Sequence, residues 1–267
     1  MSGRNTQSPA SVRAKGTEPY WFLSTRPLHI LAFLLPLVIL YELGTIFYLS
    51  NPSSGVVETI GARSLFAQFC NTFGNVTVYF PGIAIVSIML FWHVFAGDRT
   101  VLRPKVVGGL AVESVAWVVP LLLILYLVAP GTTPKPAIAA PPSISDLPWQ
   151  AQATLSVGAG IYEELLFRLV MIPLIHFIAA DLFKIQSNLS SGIAVVASAI
   201  AFAAYHHVSI PEGDPRAFRF YLYYACGGAF FGILFLARGF GVIVGTHAVF
   251  DLVVLLLLPA LKTASPS

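Results

Sequence analysis

The chain has 267 residues, of which 57% are hydrophobic and only 10% charged, and its mean hydropathy is +0.80. A soluble domain carries about 25% charged residues, so the composition excludes a soluble enzyme or binding module. The net charge of +3 is not gathered into any Lys/Arg block, which gives no footing for nucleic acid.

Apolar runs of about 20 residues recur along the chain, each enough to cross roughly 30 Å of hydrocarbon. The expected fold is therefore all-α, a polytopic transmembrane helix bundle of about seven spans, or eight if a half-span is hidden. The organisation expected is a disordered polar tail over 1–26, transmembrane helices over 27–129, a Pro-rich linker over 130–150, a second helical group over 151–261 and a tail over 262–267. Cys70 and Cys226 make neither a metal-binding spacing nor a disulfide framework and read as small core residues.

In chain order, span one runs from about Leu28 to Leu49 and contains Glu42. It is too long, and too closely followed by further spans, to be a cleaved signal peptide. A weakly amphipathic piece, Ala62 to Phe73, fits the membrane interface. Span two covers about Val76 to Ala96, and span three about Val106 to Ala129 with Glu113 inside it. Both acids read as interhelical hydrogen-bond formers in the neutral form, with a secondary-site role as the alternative. Span four extends from about Ala151 to Ala180, and span five from about Leu189 to Val208, ending in His206-His207. Span six, about Phe218 to Ala237, holds Gly228 and Gly232 at the spacing that permits close helix approach. Span seven follows Gly239 and carries His247 and Asp251. Lys and Arg outside the spans number nine on the N-terminal side of the membrane and five on the other, which puts the N-terminus in the cytoplasm.

The functional signal lies in span four, where Tyr162 to Arg168 reads Tyr-Glu-Glu-Leu-Leu-Phe-Arg. Ionisable side chains at membrane depth cost roughly 2.5–3.5 kcal/mol each, so three within seven residues call for a use. On a helix Glu164 and Arg168 share a face, while Glu163 is turned from Glu164 by about 100°. Glu164 can then be neutralised by Arg168, leaving Glu163 to face a cavity and take a proton. The alternative is a buried polar network that only locks helix packing. His206, His247 and Asp251 add two imidazoles and a carboxylate from two further helices. That set can activate water by general base catalysis or through a metal. His207 points away from His206, Phe202 is in phase with it, and His29, His93 and His176 read as packing or interfacial residues.

Glu163-Glu164-x-x-x-Arg168, Phe202-x-x-x-His206 and His247-x-x-x-Asp251 resemble, in order and approximate spacing, the three motifs of the CPBP group. This group comprises type II CAAX prenyl endopeptidases and bacteriocin-processing and immunity (Abi) membrane proteases. The resemblance covers about Gly158 to Leu258 and makes 151–261 the catalytic core. It implies an intramembrane endopeptidase in which Glu163 and His206 activate the attacking water. His247 and Asp251 would polarise the scissile carbonyl, with Glu164, Arg168 and Phe202 in support. It leaves open whether the carboxylate holds the water itself or whether a divalent metal such as zinc, on Glu163, His206 and His247, does so. The third motif usually ends in Asn; an ionised Asp251 cannot donate a hydrogen bond to an oxyanion, so it must be protonated, orient His247 or bind metal.

The partners implied are the lipid bilayer and a membrane-associated or lipid-bearing protein or peptide substrate, and the setting a bacterial inner membrane. Two readings from other classes stand beside this one. A catalytically inactive scaffold or immunity protein would keep the bundle without the chemistry, and a proton-coupled transporter would use the same acids and histidines as a relay. Against the transporter, no inverted internal repeat is visible.

Overall fold

In the computed structural model, the described residues are 18–49, 80–97, 100–128, 147–207 and 217–264. Every regular element among these residues is a helix. A single turn, α1 (Tyr20–Leu23), precedes α2 (Pro27–Leu49), α3 (Phe80–Phe95), α4 (Pro104–Val128), α5 (Trp149–Leu182), α6 (Ser187–His207), α7 (Ala217–Arg238) and α8 (Phe240–Leu261). Prolines mark the starts: Pro27 and Pro104 open α2 and α4, and Pro148 caps α5, positions where a missing N–H costs nothing.

Six of these helices, α2 and α4 to α8, are long and apolar enough to cross a membrane. The chain is an integral multi-pass membrane protein. Where a span is expected over Val76 to Ala96, the described residues hold α3, an apolar helix of 16 residues packed against α2, so the described residues carry six spans plus α3. The amphipathic piece at Ala62 to Phe73 and most of the Pro-rich linker lie outside the described residues.

Helix α8 is the centre of the bundle. Half of its apolar window is buried, more than in any other span, and it packs against α2, α4, α5 and α7. Its approach to α5 is closest at Gly160, where a Cβ would stand 2.7 Å from the Val244 carbonyl oxygen and 2.9 Å from the Ala248 nitrogen. Helices α6 and α7 form a second tight pair. A Cβ at Gly228 would meet Ala199 Cα at 3.0 Å, and one at Gly232 would meet Val195, so both glycines of the small-residue pair sit at that interface. The chain passes from α7 to α8 in one residue, Gly239, whose φ of 80° is open to glycine and strained for other residues.

Three of the spans are not uniform α-helix: α2 ends in a π-helical segment, Thr45–Leu49, and α5 and α8 carry others. In α5 the segment Leu165–Met171 is π-helical, with wider turns, and in α8 so is Val253–Leu257. Each ends two residues before a proline, Pro173 and Pro259. A proline has no N–H to give the carbonyl four residues back, and its ring crowds that carbonyl. A preceding wide turn redistributes the ladder around the gap, a distortion common at functional sites.

Residues 18–26, which the sequence assigns to the polar tail, pack on the bundle. Leu23 and Ser24 are buried, and Glu18 pairs with Arg103 at 3.1 Å. Glu113 holds this segment down. It accepts from Tyr20 Oη at 2.5 Å and, through both carboxylate oxygens, from Arg238 Nε and Nη2 at 2.5 and 2.8 Å. Arg238 Nη2 also donates to Ser24 Oγ at 3.0 Å, and its guanidinium lies 4.1 Å from the Trp21 ring centroid. The expectation of a neutral Glu113 is thus replaced by a bidentate ion pair. Its partner, Arg238, closes α7, and the sequence places that arginine in a loop.

Candidate active site

Three helices converge on one buried polar cluster in an otherwise apolar interior. Helix α5 supplies Glu163, Glu164 and Arg168, α6 supplies His206, and α8 supplies His247 and Asp251. All four members of the expected catalytic set are brought together. The two supporting charges beside them, Glu164 and Arg168, are fully buried.

The supporting network is continuous. Arg168 Nη1 donates to Glu164 Oε1 at 2.9 Å, and Arg168 Nη2 donates to the Gly228 carbonyl at 3.3 Å. The same Glu164 oxygen lies 2.7 Å from His247 Nδ1. A carboxylate oxygen bound to arginine can only accept, so His247 Nδ1 carries a proton and its Nε2 is turned to the other side. Two aromatic rings lie against the arginine, with its guanidinium carbon 4.3 Å from the Phe202 ring centroid and 5.4 Å from that of Phe231. Cation–π contact of this kind gives a buried guanidinium a second source of compensation.

Glu163 faces the opposite side of this network. Its Oε2 lies 3.6 Å from His206 Nε2 and 3.8 Å from His247 Nε2, too long for direct hydrogen bonds and close enough for one small oxygen-bearing group beside them to bridge. His206 Nδ1 stands 2.9 Å from the Phe202 carbonyl oxygen. A carbonyl accepts only, so Nδ1 is the protonated nitrogen and Nε2 offers a lone pair toward Glu163. Asp251 Oδ2 lies 3.7 Å from His247 Nε2, one helical turn along α8, and is the most exposed member of the group at 24%.

Both histidines offer Nε2 inward while Nδ1 is engaged by a carbonyl or a carboxylate, which is how metal-binding histidines are oriented. Among the described residues, however, no three His, Cys, Asp or Glu side chains are arranged to hold a metal ion.

Phe202 is the aromatic hub, its ring 4.5 Å from His206, 6.2 Å from His247 and 5.3 Å from Phe167, centroid to centroid. Two aromatic residues that the sequence reading missed also touch the site, Tyr224 against His206 and Phe231 against His247. Their signal is a helical stripe on α7, Tyr224, Gly228 and Phe231, at spacings of four and three. Of the remaining polar residues, Glu42 accepts from Tyr162 Oη at 3.1 Å and stands outside the cluster, at the contact of α2 with α5. His29 is fully buried and accepts from the Arg103 backbone N–H at 3.2 Å, a packing role as expected.

Residues 146–253 match the family model described as Type II CAAX prenyl endopeptidase Rce1-like. This segment contains all three motifs, so the stretch that carries them is similar to that family. A curated relative, the sporulation-killing factor biosynthesis protein SkfC of Bacillus subtilis (strain 168), is 28% identical over 110 residues, which is 41% of this chain and 20% of that protein. The chain spans only about a fifth of this relative's length in the matched stretch. No solved structure matches the chain.

Proposed function

We propose that this protein is an intramembrane endopeptidase that hydrolyses a peptide bond of a membrane-associated or lipid-bearing protein or peptide. The observation that carries the reading is the convergence of Glu163 Oε2 with the Nε2 atoms of His206 and His247 at 3.6 and 3.8 Å. A water held between Glu163 and His206 meets two acceptors, gives each a hydrogen bond and presents its remaining lone pair to a substrate carbonyl. Glu163 takes the proton as the oxygen attacks the carbonyl carbon. With His247 Nδ1–H given to Glu164, Nε2 has an N–H for the resulting oxyanion when the ring is an imidazolium, whose charge Glu164 and Asp251 balance. The tetrahedral intermediate then collapses, the C–N bond breaks, and Glu163 returns its proton to the leaving amine. Asp251 acts on His247 through charge and orientation in this scheme, since an ionised Asp cannot donate. Glu164 and Arg168 hold His247 in place.

A bacterial inner membrane is the setting in which we place this activity. The relative's name, a biosynthesis protein for a killing factor, supports precursors of such a factor as a substrate class to try alongside lipid-bearing proteins. The test is a mass-spectrometric search for new peptide termini in membranes carrying the wild-type protein or Glu163→Gln, with and without a chelator. Termini that depend on Glu163 are expected. Chelator-sensitive termini would assign the water to a metal instead of the carboxylate. Identical termini in the two membranes, in a search that recovers a known membrane cleavage, would overturn the enzyme and favour a binding role.

A further inference from the structure

Two ring stacks frame the histidines from the same helix. Tyr224 lies against His206 with centroids 4.2 Å apart and planes inclined by 17°, and Phe231 lies against His247 at 4.9 Å and 19°. Their ring contacts with Phe202 and Tyr205, by contrast, are tilted or edge-on, with angles between 49° and 89°. Tyr224 and Phe231 are seven residues apart, two turns of α7, and so project from one face. Gly228 lies between them on that face, and its lack of a side chain lets α7 close to within contact of Ala199 on α6. The Gly228 carbonyl also receives Arg168 Nη2. One stripe of α7 therefore touches both histidines and the arginine that fixes their carboxylate partner.

We infer that Tyr224 and Phe231 are positioning residues that set the ring planes of His206 and His247, so that both Nε2 atoms face Glu163. The reason is rotational. A histidine ring anchored at Nδ1 alone can still turn about its Cβ–Cγ bond within the width of one hydrogen bond. Turning would swing Nε2 away from an Oε2 already 3.6 or 3.8 Å distant. A flat ring stacked on the imidazole face blocks that rotation, and a branched aliphatic side chain of similar volume does not. The stack on His206 also protects its bond to the Phe202 carbonyl, which fixes the Nδ1–H tautomer and leaves the Nε2 lone pair inward.

The inference rests on the proposed protease reading for its consequence in catalysis, but not for its geometry. Its test therefore has two readouts on the full-length protein purified in detergent. The first is nitrogen NMR of 15N-histidine-labelled protein, with the His206 and His247 signals assigned by their loss in His206→Ala and His247→Ala. The wild type is expected to show His206 in the single Nδ1–H tautomer. Tyr224→Leu should convert that signal to a tautomer average, Phe231→Leu should shift the His247 signals, and Tyr224→Phe and Phe231→Tyr should preserve the wild-type pattern. The second is the yield of Glu163-dependent termini. It should fall by about three- to tenfold in each leucine variant, the factor an aromatic pair is worth, and recover in the ring-conserving variants. Unchanged histidine signals in folded Tyr224→Leu and Phe231→Leu would overturn the inference, as would loss of the wild-type pattern in the ring-conserving pair. If the leucine variants do not fold, the ring-conserving pair decides. If Glu163→Gln changes no terminus, the protease reading fails and the NMR readout still decides whether the rings are held.

Discussion

Glu164 Oε1 is shared between Arg168 Nη1 at 2.9 Å and His247 Nδ1 at 2.7 Å, so one buried oxygen ties the arginine of α5 to the histidine of α8. An ion pair that is fully buried on both sides contributes little net stability when intact, because desolvation offsets the attraction. Breaking it leaves an uncompensated charge. Arg168→Ala should therefore destabilise the bundle by about 3–5 kcal/mol. Thermal unfolding in detergent would check this, and a melting temperature equal to wild type would show that Glu164 is already neutral or otherwise paired.

The approach of α5 to α8 gives a separate prediction. At Gly160 an added Cβ meets backbone, the Val244 oxygen and the Ala248 nitrogen, and not the movable end of a side chain. Gly160→Ala should force the helices apart at a cost of about 1–3 kcal/mol. Because Gly160 lies one turn before Glu164, the separation acts directly on the Glu164–His247 bond. Activity should fall more than stability does, and a fully active Gly160→Ala protein would show that the site tolerates the displacement.

The motif residues were legible because their spacing is local. Glu164 and Arg168, Phe202 and His206, and His247 and Asp251 are each four apart, and four residues on a helix is one face. What joins the motifs is not local. Glu113 and Arg238 are 125 residues apart, and nothing in the neighbourhood of either names the other, which is why Glu113 read as a lone neutral acid. Tyr224 and Phe231 were hidden for a different reason: an aromatic residue in a membrane helix looks the same whether it faces lipid, core or a catalytic ring. The wide turns of α5 and α8 did leave a trace, since Pro173 and Pro259 each follow a site motif within about three turns. The depth at which the motifs meet was not local either: α5 continues for 34 residues and carries Glu163 near its middle, and α8 starts at Phe240, directly after the break at Gly239.

The ordered segment before α2 should respond to alkali. Burial raises the Tyr20 hydroxyl above its ordinary value near 10, and its hydrogen bond to the Glu113 carboxylate raises it further. A raised value in the folded state means that docking favours the protonated phenol. That contribution is complete below about pH 10 and is lost as pH rises toward the folded value. Proteolytic cutting within residues 18–26 should therefore be slow and constant through neutral pH and accelerate above pH 10. In Tyr20→Phe, cutting should be faster at neutral pH and should lose that dependence. A wild-type protein cut equally fast at pH 7 and pH 11 would show that Tyr20 does not hold the segment.

Asp251 separates two ways of helping His247. Its Oδ2 lies 3.7 Å from His247 Nε2, so its charge is felt there, yet its side chain cannot donate to an oxyanion while ionised. The residue usual at this point of the third motif, Asn, has the opposite balance: no charge, but an N–H donor. Asp251→Asn should therefore keep cleavage within about tenfold of wild type, the added donor offsetting the lost charge. Asp251→Ala removes the charge and adds no donor, so a less readily charged His247 is left to face the oxyanion and cleavage should fall by about a hundredfold or more. The yield of Glu163-dependent termini measures each. Equal and severe losses in the two variants would mean that the negative charge is what the site requires, and that Asp251 serves to keep His247 protonated. Equal and negligible losses would place Asp251 outside the chemistry and leave His247 to act on the carbonyl with Glu164 alone.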